Sequence, residues 1–351
     1  MIRLNMYGWN DRLNQLKQES AYNTLSHGRI AIVHRTCYEV VSDSGLYQCE
    51  LTGNMMYGKS DFELPCTGDW VLFQPFDDSK GIIVGMLPRE RTLYRKRNGT
   101  VAGKQAIASY VDKAFIVQSL DDNFNIRRVE RFMVQILEEN IQPVLILNKA
   151  DLPFDKQETE EAIKHLTRRM PVFFTSIHHP ETVSRLRNSI SEGETVVFVG
   201  SSGVGKSSLV NALCERSVLL TSDISQSTGK GRHTSTRREM VLMDGSGVLI
   251  DTPGIREFGL TVDNPDSLAE MLEISNYAES CRFKDCTHTN EPGCAVLEAV
   301  AEGSLDVKVY ESYLKLKREA WHFSASEHEK RKKEKSFTKL VEEVKRRKAD
   351  S

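Results

Sequence analysis

Two nucleotide-reading motifs stand in this chain in the reverse of their usual order, and that order limits the folds open to it. Asn148-Lys149-Ala150-Asp151 has the N-K-x-D form that recognises a guanine base. Gly200-Ser201-Ser202-Gly203-Val204-Gly205-Lys206-Ser207, followed by Ser208, fits the phosphate loop G-x-x-x-x-G-K-S/T at every fixed position. Asp251-Thr252-Pro253-Gly254 fits the D-x-x-G of a switch loop. A GTP-hydrolysing domain ordinarily runs phosphate loop, switches, base reader. Either the early N-K-x-D is an accident, or the domain has been cut and rejoined.

The context of each motif favours the second reading. Val144-Leu145-Ile146-Leu147, Val196-Val197-Phe198-Val199 and Val248-Leu249-Ile250 are apolar runs with strand character, and each delivers one motif. In open α/β sheets, ligands bind beyond the carboxyl ends of the strands. A cut between the third and fourth strands leaves that edge undisturbed. The helical stretch 181–192 can then join the old end to the old beginning.

The rest of the chain divides around this domain. Residues 1–25 read as a polar leader helix. Residues 26–90 hold five short runs rich in β-branched and aromatic residues, separated by Gly, Asp, Ser and Pro. Five strands in about 65 residues suit a small barrel of the OB kind, with an SH3-like barrel as the alternative. Residues 91–110 form a basic connector, and residues 111–260 carry the α/β rhythm. Residues 261–351 read as a helical, zinc-binding domain ending in a long charged helix from about Val307. The fold class expected is therefore α/β: a circularly permuted phosphate-loop GTPase domain, an N-terminal OB-like barrel and a C-terminal zinc domain.

Chemistry assigns roles to the motif residues. Gly200, Gly203 and Gly205 let backbone N–H groups, with those of Ser201, Ser202 and Val204, turn toward phosphates at a helix N-terminus. Lys206 would reach the β- and γ-phosphates, and the Ser207 hydroxyl and Asp251 carboxylate would hold Mg²⁺. The Gly254 N–H would approach the γ-phosphate. The Asp151 carboxylate would accept from the two N–H groups on guanine's pairing edge, a donor pair adenine lacks. Asn148 would tie the base to the phosphate loop, and the Lys149 stem would cover the ring. Thr175-Ser176 end the next strand, where such domains touch the base oxygen.

Between the phosphate loop and Asp251, the stretch Thr228 to Arg238 is basic, glycine-rich and hydroxyl-rich, which suits a first switch. Thr234 is the candidate Mg²⁺-sensing hydroxyl, with Thr236 next. Ile255 follows Gly254 where many GTPases place a water-orienting Gln, so another group or a partner must assist catalysis. His233 is the candidate water-orienting residue; the plain alternative is an exposed loop histidine.

Cys281-x4-Cys286-x-His288-x5-Cys294 offers three thiolates and one imidazole, the set a closed tetrahedral Zn²⁺ site takes. In a reducing compartment such a cluster reads as metal rather than disulfide. The opening Met1 to Met6 lacks the apolar core of a signal peptide, and no apolar run would span a bilayer, so the location expected is cytoplasmic. Lys315 to Lys348 carries 13 Lys and Arg against 6 Asp and Glu, a local +7 in a chain of net −2. The remainder thus carries −9. A basic tail on an acidic body points to an anionic partner such as RNA, or simply to a solvated helix.

Together these pieces resemble the ribosome small subunit-dependent GTPase A family, over nearly everything from residue 26 to 320. The resemblance rests on Asn148 to Asp151, Gly200 to Ser208, Gly231-Arg232-His233-Thr234, Asp251 to Glu257 and the Cys/His set. It implies GTP hydrolysis to GDP, slow alone and stimulated by the small ribosomal subunit. It also implies late maturation of that subunit and contact with its rRNA. The chain is expected to be a monomer with no membrane partner. Two departures stand out: Tyr110 before Val111-Asp112 where the family commonly has Asn, and His-Thr-Ser-Thr at 233–236 rather than His-Thr-Thr-Thr. The rival readings are a nucleotide-gated RNA-binding scaffold with little turnover, a large-subunit assembly GTPase, and a metabolic phosphate-loop kinase.

Overall fold

The computed structural model describes residues 2–57, 62–96, 104–121, 124–214, 239–251, 268–269 and 272–324, the side chains of 96, 104 and 319–324 aside. Two compact units emerge, Met1–Gly259 and Leu260–Ser351.

The first unit opens with a short 3-10 turn, Leu4–Tyr7, and a helix, Asp11–Glu19. Asn10 caps that helix, its side-chain oxygen accepting from the Leu13 N–H at 3.1 Å. Trp9 packs edge-on against Trp70, with ring centroids 4.8 Å apart. Leu4, Tyr7 and Leu13 are buried. The leader is thus part of the packed body rather than a solvated extension.

Five strands follow: β1 (Ser26–Val33), β2 (Tyr38–Ser42), β3 (Gly45–Leu51), β4 (Trp70–Asp77) and β5 (Lys80–Met86). Along β3, Tyr47 and Cys49 turn inward while Gln48 and Glu50 face out, the alternation a one-sided strand requires. The order β1-β2-β3-β5-β4 closes through a β1–β4 pairing, with β3 and β5 parallel. This circuit is that of an OB barrel and removes the SH3-like alternative. Ile30, Val40, Val71, Phe73 and Ile83 fill its interior.

The connector contains a hairpin that its composition hides: β6 (Leu93–Lys96) pairs antiparallel with β7 (Lys104–Ala108). Its charged alternation, Tyr-Arg-Lys, imitates a solvated linker. The α/β sheet comprises β8 (Lys113–Ser119), β9 (Gln142–Asn148), β10 (Val172–Thr175), β11 (Thr195–Val199), β12 (Glu239–Leu242) and β13 (Val248–Asp251). Their spatial order is β10-β9-β8-β11-β13-β12, all parallel except β12. Counted from β11, that order reads 6-5-4-1-3-2. An uninterrupted domain would begin at β11; here β8 to β10 come first, as a cut between third and fourth strands demands. The helices Pro180–Asn188 and Lys206–Leu213 lie on one face, packed on Phe115, Val117, Phe198 and Leu249. The helix expected over 181–192 is shorter than its periodicity suggests, ending at Asn188.

Barrel and sheet meet at β12 and at Arg29. β12 pairs with β1 through a single register pair, Ile32 with Glu239. Beside it, Arg29 is fully buried, 1% exposed. Its guanidinium donates to the Gly68 carbonyl at 2.9 Å, the Thr195 hydroxyl at 2.8 Å and the Tyr7 carbonyl at 2.5 Å. It also donates to the Ser109 and Tyr110 carbonyls, each at 3.3 Å. Leader, barrel, connector and sheet meet on one side chain. Burial pulls the Arg29 guanidinium down to about 10, still above neutral pH.

Tyr110, one of its acceptors, has φ +53°. Asn enters that left-handed region more readily than Tyr, which explains the Asn common at this position in the resembled family. Tyr110 offsets the strain with a hydroxyl that donates to the Pro88 carbonyl.

Removing the Arg29 charge leaves five acceptors buried without donors. Arg29→Met is expected to lower stability by at least about 3 kcal/mol in urea unfolding. Arg29→Lys should restore only part of it, since three donors cannot reach five acceptors.

Candidate functional site

The carboxyl ends of the parallel strands form one edge, and the registers align it. Ser119 of β8 and Thr175 of β10 both sit opposite Asn148 of β9. β11 runs beside β8 and delivers the loop 200–205 at the same edge. β13 lies next to β11, with Val197 opposite Ile250, so Asp251 emerges one strand away from the loop.

Asn148 is buried and makes the decisive contact. Its side-chain N–H donates to the Val204 carbonyl at 2.9 Å, and its side-chain oxygen accepts from the Thr175 hydroxyl at 3.1 Å. The early motif is therefore bonded to the late loop across 56 positions of sequence. Gly205, at φ +93°, is required there: a Cβ would lie 2.3 Å from the Asn148 side-chain nitrogen. Lys206 begins the helix Lys206–Leu213, and its ammonium donates to the Gly200 and Ser201 carbonyls at 2.7 and 2.6 Å. The lysine thus stands at the mouth of the loop. Ser207 and Ser208 are exposed on the first helical turn, and Ser202 and Gly203 are exposed on the loop.

A cavity of about 230 Å³ opens beside the loop, lined by Asn148, Lys149, Asp151, Ile177, Gly205 and Ser208 among others. The Asp151 carboxylate accepts from the Ser176 hydroxyl at 2.5 Å, and that bond holds its carboxyl below the usual carboxylate range. The same hydroxyl accepts from the His178 N–H at 3.1 Å, which fixes its direction. The Ala150 N–H donates to the Thr175 carbonyl at 3.0 Å, bracing the motif against β10. Sequence reasoning found Ser176 only by analogy of position, and its bond to Asp151 has no sequence signature. His233, Thr234 and Gly254 lie outside the described residues.

A second cluster belongs to the C-terminal unit. Cys281, Cys286, His288 and Cys294 present donor atoms that all lie within 4.8 Å of one another. The Cys281 sulfur is 3.6 Å from His288 Nδ1 and 3.9 Å from the Cys294 sulfur, and the Cys294 sulfur is 3.5 Å from Nδ1. Ligands at the usual metal–sulfur length of about 2.3 Å on a tetrahedron stand about 3.8 Å apart. The donor set therefore fits one tetrahedral metal ion. The loop is held from outside as well. Glu291 accepts from the backbone N–H groups of Thr287, Thr289 and Asn290, and the Tyr310 hydroxyl donates to the His288 carbonyl at 2.7 Å. Tyr310 lies on the terminal helix Val307–Ser324, which thereby clamps the cluster.

A phosphate loop bonded to an N-K-x-D motif, at the edge of a sheet whose fourth to sixth strands precede its first, defines a circularly permuted GTPase. The RsgA GTPase family model matches residues 86–261. A Bacteroides thetaiotaomicron protein described as small ribosomal subunit biogenesis GTPase RsgA 1 is 75% identical over 347 residues, covering 99% of this chain and 98% of its own. A Methanosarcina acetivorans protein described as small ribosomal subunit biogenesis GTPase RsgA is 41% identical over 317 residues, covering 89% and 84%. This chain belongs to the RsgA GTPase family. Among solved structures, YloQ, a circularly permuted GTPase, aligns with TM-score 0.63 at 25% identity, over 88% of this chain and 99% of that one. YjeQ from Thermotoga maritima shares the fold, with TM-score 0.63 at 24% identity over 84% and 98%.

Cys294 is the most buried sulfur of the cluster, 2% exposed. Cys294→Ser is expected to strip the metal, read as loss of bound ion by elemental analysis, and to lower the melting temperature. Chelator treatment of the unaltered chain should reproduce the melting shift.

Proposed function

We propose that this chain hydrolyses GTP in the loop–cavity site and couples that hydrolysis to late maturation of the small ribosomal subunit. The observation that carries the nucleotide reading is the Asn148–Val204 bond, which joins the base reader to the phosphate loop. Asp151 selects guanine through its paired acceptors, and Ser176 keeps that carboxylate ionised and aimed. Lys206 and the N–H groups of residues 200–205 hold the phosphates. Ser207 and Asp251 would hold Mg²⁺, with Thr234 as a third ligand, and the bound ion would neutralise phosphate charge. His233 orients the attacking water, the role Ile255 cannot fill.

Subunit coupling is supported by the description of the 75% identical relative as a small ribosomal subunit biogenesis GTPase. The barrel offers exposed aromatic rings at Tyr57, Phe62 and Phe76, surfaces on which unpaired bases of rRNA can stack. The basic tail from Lys315 adds phosphate-binding charge. The C-terminal cluster holds structural Zn²⁺: three thiolates and an imidazole favour it, and four ligands leave no open position. No helix among the described residues is long and apolar enough to cross a membrane.

GTP hydrolysis measured with and without purified small subunits tests this reading. Stimulation of at least tenfold by small subunits, and not by large ones, is expected. Equal rates in all three conditions would overturn the coupling. Asp151→Asn should exchange preference from guanosine to xanthosine nucleotides, because the amide donates where the carboxylate accepted.

A further inference from the structure

A second carboxylate stands just outside the base cavity and has no place in the N-K-x-D or phosphate-loop motifs. Asp121 follows β8 by two residues. One of its oxygens accepts from the Lys149 ammonium at 2.8 Å, and the other accepts from the Ser119 hydroxyl at 2.6 Å. Ser119 is fully buried and lies opposite Asn148 in the β8–β9 register. The turn is pinned again by the Leu120 N–H, which donates to the Asn148 carbonyl at 2.9 Å. Asp121 is therefore fixed to the same rung of the sheet that carries the base reader.

We infer that Asp121 is a positioning residue for the guanine pocket: by holding the Lys149 ammonium, it sets the lysine stem as the wall on which the base lies. The inference rests on the guanine reading of the cavity. Lys149 lines that cavity and adopts φ +61°, a conformation that bulky residues rarely hold unaided. A lysine stem is flexible, with several rotatable bonds. Unanchored, it would sample the pocket instead of walling it. The two charged side chains are 33% and 25% exposed, so solvent screens the pair only in part. The carboxylate draws the ammonium toward the end of β8. Lys149 then serves the base, while Lys206 serves the phosphates.

Different consequences follow for base and phosphate. A wall under the base acts alike on every guanine nucleotide, whatever its phosphate count. Asp121→Ala should weaken GTP and GDP by the same factor, about tenfold, equivalent to about 1.4 kcal/mol. KM for GTP should rise correspondingly while kcat at saturation stays unchanged. Asp121→Glu should recover most of the affinity. Ser119→Ala should lose less than Asp121→Ala.

The decisive measurement is a double-mutant cycle on fluorescent GDP affinity with Lys149→Met, which keeps the stem and removes the charge. In that background Asp121→Ala should cost nothing further. A full additional tenfold loss there would show that Asp121 acts on structure rather than through Lys149. Unaltered affinity in Asp121→Ala, beside an unaltered chain that binds guanine nucleotide, would overturn the inference alone. An unaltered chain with no guanine nucleotide affinity would overturn the underlying reading of the cavity as well.

Discussion

The guanidinium of Arg29 is the constraint around which the first unit is built. A charge taken fully out of water requires replacement of its hydration, and among the described residues no carboxylate forms an ion pair with this one. Four backbone carbonyls and one hydroxyl, drawn from the leader, barrel, connector and β11, supply that replacement. Each acceptor must be in place for the others to be worth having, so the four segments fold as one cooperative body. Thr195 lies at the start of β11, and the phosphate loop leaves the end of the same strand. A strand five residues long thus carries the barrel's anchor at one end and the nucleotide loop at the other.

The nucleotide edge follows the same logic of mutual dependence on a smaller scale. Asn148 bonds β9 to the phosphate loop and β10, and Ser176 bonds β10 back to Asp151. The glycine at 205 leaves room for the amide. None of these contacts depends on the order in which the chain visits the strands. That independence is why a domain can be reopened between its third and fourth strands and keep its chemistry: the sheet edge is a spatial object.

Legibility in the sequence tracked the range of the interactions. The motif-bearing strands were readable because each apolar run directly precedes its motif. The Cys/His cluster was readable because its four side chains lie within one short stretch. Five barrel strands were evident from composition, but their closed circuit was not, since the parallel β3–β5 pairing is a non-local contact. The β6–β7 hairpin was obscured because Arg95 and Lys96 imitate a linker. Arg29 carried no signal: as the opening residue of an apolar run it resembles any solvent-facing arginine, and its acceptors lie 22 to 166 positions away. Asp121 was equally silent, being one of two successive aspartates after a strand. Tyr110 was visible only as a departure, and its positive φ supplies the reason that position is particular.

The single-rung pairing of β12 with β1 has a protective consequence. β12 is the outermost strand of the α/β sheet, and an outermost strand offers unpaired backbone groups to any passing chain. Here β1 of the barrel takes up one rung of that flank, Ile32 opposite Glu239. Such a flank left bare would recruit a neighbouring molecule's strand and seed aggregates. At the rung where Ile32 meets Glu239, the N-terminal barrel thereby shields part of this one margin of the permuted sheet.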